Sequence, residues 1–364
     1  MSTEAVRQPA ELKFADELAR LAQDDQEQGG AKPPGWKLTA RAVRSFVIGD
    51  EPLGVERKFY GDDPLVDRAI VTLMGRQGLM LVGEPGTAKS MLSELLAAAI
   101  SGNSNLTIQG TAATTEDHVR YSWNYALLLA EGPTERSIVP SPIYQAMVSG
   151  RIARFEEITR AAPEIQDTMV SLLSEKHLMV PEFGADARIA ARSGFNVIAT
   201  ANLRDRGVNE MSAALKRRFN FETVHPLADP QFEVELVARQ LEAELGPDLR
   251  SVKFDREVLD LLVTVFRDLR TGTTKEGTVI KRPEAVMSTA EAVGVAVSAA
   301  LEARYLGDAV VTPGRIADRM LGVALKDNQE DAARLRFYAD TVIRERARHD
   351  RRWKAFLTAT RTWR

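Results

Sequence analysis

No cysteine occurs anywhere in the chain, which excludes disulfides, thiolate catalysis and zinc–cysteine sites. Histidine is scarce: His118, His177, His225 and His349 lie far apart, and none has a partner one helical turn away. Four unrelated structural or surface histidines are therefore expected, and no histidine metal site. No apolar run approaches the ~18 residues that a membrane span requires. The opening MSTEAVRQPAELKFADELA has no apolar signal core. Both absences point to a cytoplasmic protein without a membrane partner. Neither sign of charge dominates, and a net charge of −3 supplies no global positive field for nucleic acid or anionic lipid. The composition that is present, 44% apolar and 27% charged over 364 residues, suits one large globular domain or two ordinary ones.

Residues 11–28 (ELKFADELARLAQDDQEQ) predict a short amphipathic helix with Leu12, Phe14, Leu18 and Leu21 on one side. GGAKPPGW follows as a flexible or polyproline-like linker, and ARAVRSFVI as a second helix. LVDRAIVTLMGRQ has helical period, GLMLV is a short buried strand, and KSMLSELLAAAISG is a helix ending at Gly102. NLTIQGT, RIARF and FNVIATAN continue the strands, with helices SPIYQAMVSG and APEIQDTMVSLLSE between them. That alternation predicts an α/β class built on a parallel sheet flanked by helices. HLMVPEF and ARIAARSG have the character of two hairpin arms. From about Asp229 the chain turns all-helical: FEVELVARQLEAEL, DREVLDLLVTVFRDL, PEAVMSTAEAVGVAVSAALEARYL and PGRIADRMLGVAL. The final DAARLRFYADTVIRERARHDRRWKAF is a basic helix, read as a solvated face with Leu335, Tyr338, Val342 and Phe356 packed inward, or as a nucleic-acid or partner surface. The expected division is 1–45 (N-terminal helical extension and linker), 46–228 (α/β core), 229–328 (all-helical domain) and 329–364 (C-terminal basic helical extension).

GEPGTAKS, at residues 83–90, stands between a strand and a helix. Successive backbone N–H groups and the helix N-terminus make such a turn a phosphate cradle. Gly83, Glu84, Pro85, Gly86, Thr87, Ala88, Lys89, Ser90 and Met91 are the candidate cofactor-binding positions. Lys89 is suited to the β- and γ-phosphates and Ser90 to a magnesium ion. The usual fingerprint has glycine where Ala88 stands. That residue is expected to be entering the helix already, where alanine is favoured and its single methyl is tolerated.

At the next strand end, RIARFEEI supplies Glu156 as a metal-holding acid and Glu157 to orient and polarise the attacking water. Glu156 is one methylene longer than the usual aspartate, and Arg154 is out of place in a central strand. FNVIATAN ends in Asn202, an uncharged amide able to bond both water and a phosphate oxygen. SAALKRRFNFE reads as a helix bearing Arg217 and Arg218, either of which can be offered to a neighbouring subunit's phosphate.

These residues resemble the MoxR-type, helix-2-insert branch of the AAA+ ATPases from about Lys58 to Leu325. The resemblance rests on GEPGTAKS, SPIYQAM, EITRAAPEIQDTMVSLLSEKHL, IATANLRD, LKRRF and VVTPGRIADRML. It implies a P-loop AAA+ core with a five-stranded parallel sheet of strand order 5-1-4-3-2 and an all-helical lid. A hairpin before the sensor strand and an insert around WNYALLLAEGPTERSIV are also implied. Catalytic roles fall on Glu157, Asn202 and Arg218, with ATP and Mg²⁺ as cofactors. IKRPEA resembles the lid arginine motif, with its proline after rather than before the arginine, and places a second sensor at Arg282. Relatives form rings, commonly hexamers, and remodel protein clients, many with a partner carrying a von Willebrand factor A domain. This chain has no Asp-x-Ser-x-Ser of its own, so that partner would be a separate chain.

The expected function is an ATP-hydrolysing, chaperone-like ring ATPase. The alternatives are a nucleotide-dependent assembly switch with negligible hydrolysis and a metal-chelatase-type ATPase subunit. A DNA-dependent motor has only the basic tail in its favour.

Overall fold

The computed structural model describes residues 7–202, 207–246, 251–325 and 328–363. The start of the N-terminal extension, residues 1–6, and residues 203–206, which include the end of the IATANLRD stretch, lie outside the described residues. By its contacts the chain divides into two compact units, Met1–Glu84 with Ala88–His225 and Pro85–Thr87 with Pro226–Arg364.

The first unit is built on five parallel strands: β1 (Gly78–Val82), β2 (Thr107–Gln109), β3 (Ile152–Glu156), β4 (Asn196–Ala201) and β5 (Phe219–Thr223). Their spatial order is β5-β1-β4-β3-β2, the order that the resemblance implies. Strands buried on both faces must be apolar throughout. GLMLV meets that demand, with Leu79 and Leu81 in the core on one face and Met80 and Val82 in the core on the other. Helix α1 (Lys89–Ser101) packs on the first face, and helix α2 (Pro163–Glu175) on the second. Gly102 ends α1 in the left-handed conformation, with φ 64°.

Two hairpins extend the sheet unit. Tyr121–Trp123 pairs antiparallel with Ile138–Pro140, the exposed helix Tyr125–Glu131 lying between them. His177–Met179 pairs with Arg188–Ala190, as the HLMVPEF and ARIAARSG arms predict.

Several local expectations fail for identifiable reasons. SAALKRRFNFE is not one helix: its helix covers only Ala213–Lys216, and Phe219–Thr223 forms the edge strand β5. The N-terminal helix is interrupted at Phe14, which leaves Leu12 64% exposed while Leu21 is buried. GGAKPPGW is no loose linker. Trp36 is buried in the first core, Lys37 N–H donates to the Ile100 carbonyl at 2.8 Å, and a Cβ on Gly35 would fall 2.2 Å from the Ser193 carbonyl oxygen.

The second unit packs Pro230–Leu245, Arg256–Thr271, Thr289–Tyr305 and Pro313–Ala324 around a core of its own. The capping box of Ser288 and Glu291 starts the third of these at Thr289, so PEAVMS stays outside the helix. The basic tail is not one helix. Gln329–Tyr338 runs into a π-helical turn at Ala339–Ile343, and a separate helix, Arg351–Ala359, is capped by Asp350. Leu335, Tyr338, Val342 and Phe356 are all buried, so this segment is part of the core.

Candidate nucleotide-binding site

The carboxyl ends of β1, β3 and β4 lie side by side in the parallel sheet, and the chain places its polar residues there. After Val82 the backbone turns through Gly83 (φ 159°) and Gly86 (φ 74°), conformations that a side chain would resist. Ala88, contrary to the expectation that it has already entered the helix, is the N-cap of α1 in the left-handed region, with φ 67° and ψ 22°. The glycine of the usual fingerprint thus answers a real backbone demand, which alanine meets at a cost of roughly 1–2 kcal/mol. Lys89 is buried, and its Nζ donates back to the carbonyls of Gly83 (3.1 Å) and Glu84 (2.8 Å). Ser90 stands in the first turn of α1, and Met91 beside it is half-buried against the first core.

Glu156 ends β3 beneath that turn. Its Oε2 accepts from Ser90 Oγ at 2.6 Å and from Thr200 Oγ1 at 2.8 Å. Its Oε1 accepts from Ser93 Oγ at 2.6 Å and from Arg154 Nη2 at 2.8 Å. Burial would push this carboxyl up, but the Arg154 guanidinium and the hydroxyls of Ser90, Ser93 and Thr200 outweigh it and hold it below the usual carboxylate range.

Glu157 follows in the left-handed region, with φ 54°. Its backbone N–H donates to Thr200 Oγ1 at 3.0 Å, and its Oε1 accepts from Asn202 Nδ2 at 2.7 Å. Glu157 Oε2 is buried without a hydrogen bond, with Arg160 Nε at 3.6 Å. Two of the non-glycine residues with positive φ, Ala88 and Glu157, therefore bracket one site, the kind of place where backbone strain concentrates.

The structure brings together Lys89, Ser90, Glu156, Glu157 and Asn202. It adds Ser93 and Thr200, which the motifs do not name. Both carried a signal: Ser93 lies one helical turn after Ser90, and Thr200 shares a strand face with Asn202. Arg218 lies away from this cluster, its Nε donating to Ser174 Oγ (2.9 Å) and one Nη to the Ala214 carbonyl (3.0 Å); Arg217 is exposed. Arg282, in the second unit, donates from Nε to the Thr271 carbonyl at 2.9 Å.

The donor set suits magnesium. Ser90 Oγ and Glu156 Oε2 are hard oxygens already in contact, and a magnesium site typically adds only one or two protein oxygens to phosphate and water. Among the described residues no three His, Cys, Asp or Glu side chains converge as a self-sufficient metal cluster.

A phosphate-type loop between β1 and α1, paired acids at the carboxyl end of β3, an amide just past β4 and the 5-1-4-3-2 sheet define a P-loop protein of the AAA+ class. Residues 78–219 match the AAA domain of the dynein-related subfamily, and residues 231–362 match the C-terminal domain of YehL-like AAA+ ATPases. YehL of Escherichia coli (strain K12) is 49% identical over 355 residues, 97% of this chain and 96% of that protein. YojN of Bacillus subtilis (strain 168) is 25% identical over 78% of this chain and 83% of its own length. Chaperone MoxR1 of Mycobacterium tuberculosis (strain ATCC 25618 / H37Rv) is 27% identical over 58% of this chain and 56% of its own. The chain belongs to the YehL-like AAA+ ATPases, of MoxR type.

Proposed function

We propose that this protein binds and hydrolyses ATP as a subunit of a cytoplasmic hexameric ring, and uses the cycle to remodel or assemble a protein client. The observation that carries the reading is the convergence of Ser90, Glu156, Glu157 and Asn202 beside the start of α1. Lys89, now folded onto its own loop carbonyls, exchanges them for the β- and γ-phosphates. The backbone of residues 83–91 surrounds the phosphates. Magnesium, when bound with nucleotide, supplies neutralisation of phosphate charge. Ser90 and Glu156 would hold it, Glu157 orients and polarises water through Oε2, which no hydrogen bond occupies, and Asn202 fixes the Glu157 carboxylate and senses the γ-phosphate.

Arg218 is the finger offered to a neighbouring subunit's nucleotide, and Arg282 the second sensor. The functional division follows the boundaries 1–45, 46–228, 229–328 and 329–364. A chaperone-like task accords with the likeness to Chaperone MoxR1, and a separate von Willebrand factor A-domain protein is the proposed partner.

Calorimetry with Mg·ATP, phosphate release and sedimentation on the full chain test this reading. Uptake of nucleotide, ATP-dependent assembly and turnover above the ~10⁻²–10⁻⁴ s⁻¹ of unaided P-loop proteins support it. Assembly with turnover below that range identifies an assembly switch instead. No uptake at all ends the nucleotide reading. Arg218→Ala is expected to lower turnover by ~10³-fold or more, as loss of a finger does, with nucleotide affinity kept.

A further inference from the structure

Arg154 and Glu156 look like two separate departures from a standard sequence, an arginine inside a central strand and a glutamate in place of aspartate. In the folded chain they form one device. Both stand on the same face of β3, two residues apart, and both side chains are buried. All five guanidinium N–H groups of Arg154 have acceptors. Nε donates to Ser93 Oγ (2.9 Å), Nη1 to the Ser104 carbonyl (3.0 Å) and Thr107 Oγ1 (3.4 Å), and Nη2 to the Ser90 carbonyl (3.0 Å) and Glu156 Oε1 (2.8 Å). Ser104 is itself fixed by Glu11, whose carboxylate accepts from its Oγ (2.6 Å) and backbone N–H (3.1 Å). The arginine is thus anchored to the first turn of α1, to the entry of β2 and, through Ser104, to the N-terminal helices.

The consequence is a division of labour between the two oxygens of Glu156. Oε1 is occupied by Arg154 and Ser93, while Oε2 carries only hydroxyl donors, one of them Ser90. We propose that Arg154 is a positioning residue which, with Glu156, takes the place of a single aspartate: it locks Oε1, absorbs the extra methylene and presents Oε2 alone beside Ser90 to a nucleotide-bound divalent cation. This rests on the reading that nucleotide binds at the start of α1. A cation taken up here meets one carboxylate oxygen, which suits magnesium, with its few protein oxygens and retained waters, better than calcium, which often takes both oxygens of a carboxylate.

The test is a double-mutant cycle read by binding. A fluorescent, non-hydrolysable ATP analogue is titrated at graded Mg²⁺ into the full-length wild type, Arg154→Met, Glu156→Asp and the double variant, with an EDTA arm and a thermal melt of each protein. In EDTA all four are expected to bind within ~3-fold of one another. With Mg²⁺, each single variant is expected to need ~10–100-fold more cation for half-maximal enhancement, the usual cost of losing a partner behind a metal ligand. The double variant, which restores an apolar residue and an aspartate, is expected to return to within ~3-fold of wild type. Unchanged Mg²⁺ demand in the singles, or additive losses in the double, overturns the proposal. Should one single variant fail to fold, the other single and the double decide: a double that needs as much Mg²⁺ as the surviving single, or more, overturns the proposal. A wild type that takes up no analogue in either arm overturns the nucleotide reading itself, a result distinct from the other two.

Discussion

Asn202 Nδ2 donates to Glu157 Oε1 at 2.7 Å, tying the end of β4 to the residue just beyond β3. A neutral amide holds one carboxylate oxygen while the other stays buried and without a hydrogen bond. Such an oxygen costs free energy until water or ligand satisfies it. Glu157→Gln keeps the shape and the amide contact but removes the base. Turnover is expected to fall by ~10²–10⁴-fold, the usual worth of a positioned acid or base. Affinity for Mg·ATP should stay within a few-fold. Phosphate release and calorimetry on the same preparation measure both, and undiminished turnover would remove Glu157 from the chemistry.

Ala88 sits at φ 67°, where its Cβ crowds the following carbonyl. Ala88→Gly relieves that crowding but frees the unfolded chain, which offsets about 0.4–1 kcal/mol. The net expectation is a stabilisation of about 0.5–1 kcal/mol. In a unit of this size that is a rise in melting temperature of about 2 °C. A lower melting temperature for the glycine variant would show that the left-handed conformation carries no penalty here.

The central strands were legible because burial on both faces forces continuous apolar stretches such as GLMLV and FNVIATAN. The edge strand FNFET was not. It is half-exposed, and it follows the helix-favouring AALK after only Arg217 and Arg218. Lys89, Ser90, Glu156, Glu157 and Asn202 could be picked out because each sits at a fixed offset from a strand end or glycine turn. The partnership of Arg154 with Glu156 could not, since Ser90, Ser104 and Thr107 reach that arginine from sequence separations of 47 to 64 residues. Ala88 was misread on one point of backbone geometry, the assumption that the helix had begun.

The N-terminal segment shows the same limit and gives a paired test. Trp36 is 6% exposed within a core that also holds Val43, Phe46 and Leu96. Trp36→Ala is expected to cost about 3–5 kcal/mol, as a large buried aromatic does. Leu12→Ala, on an exposed side chain of the same extension, should change stability by less than about 0.5 kcal/mol. Denaturant unfolding of the two variants measures both. Equal small effects would mean that the extension contributes little to the core.

Lys176 ends α2 in the left-handed region, with φ 52°. Its Nζ is buried without a hydrogen bond and lies 5.3 Å from the centre of the Phe195 ring. Burial lowers its pKa to about 8, from about 10.4 in an unfolded chain. Below pH 8 the amine is protonated in both states, so the folded protein bears the full cost of an unsolvated charge. Between pH 8 and about 10.4 the unfolded chain holds more protons than the folded one, so stability rises with pH. Above that window both forms are neutral and the cost is gone. Lys176→Met removes the charge and keeps the length of the side chain. Its melting temperature should exceed that of the wild type at pH 7, and the difference should shrink steadily from pH 8 towards pH 10. A difference independent of pH would show that the Lys176 ammonium is not held out of water.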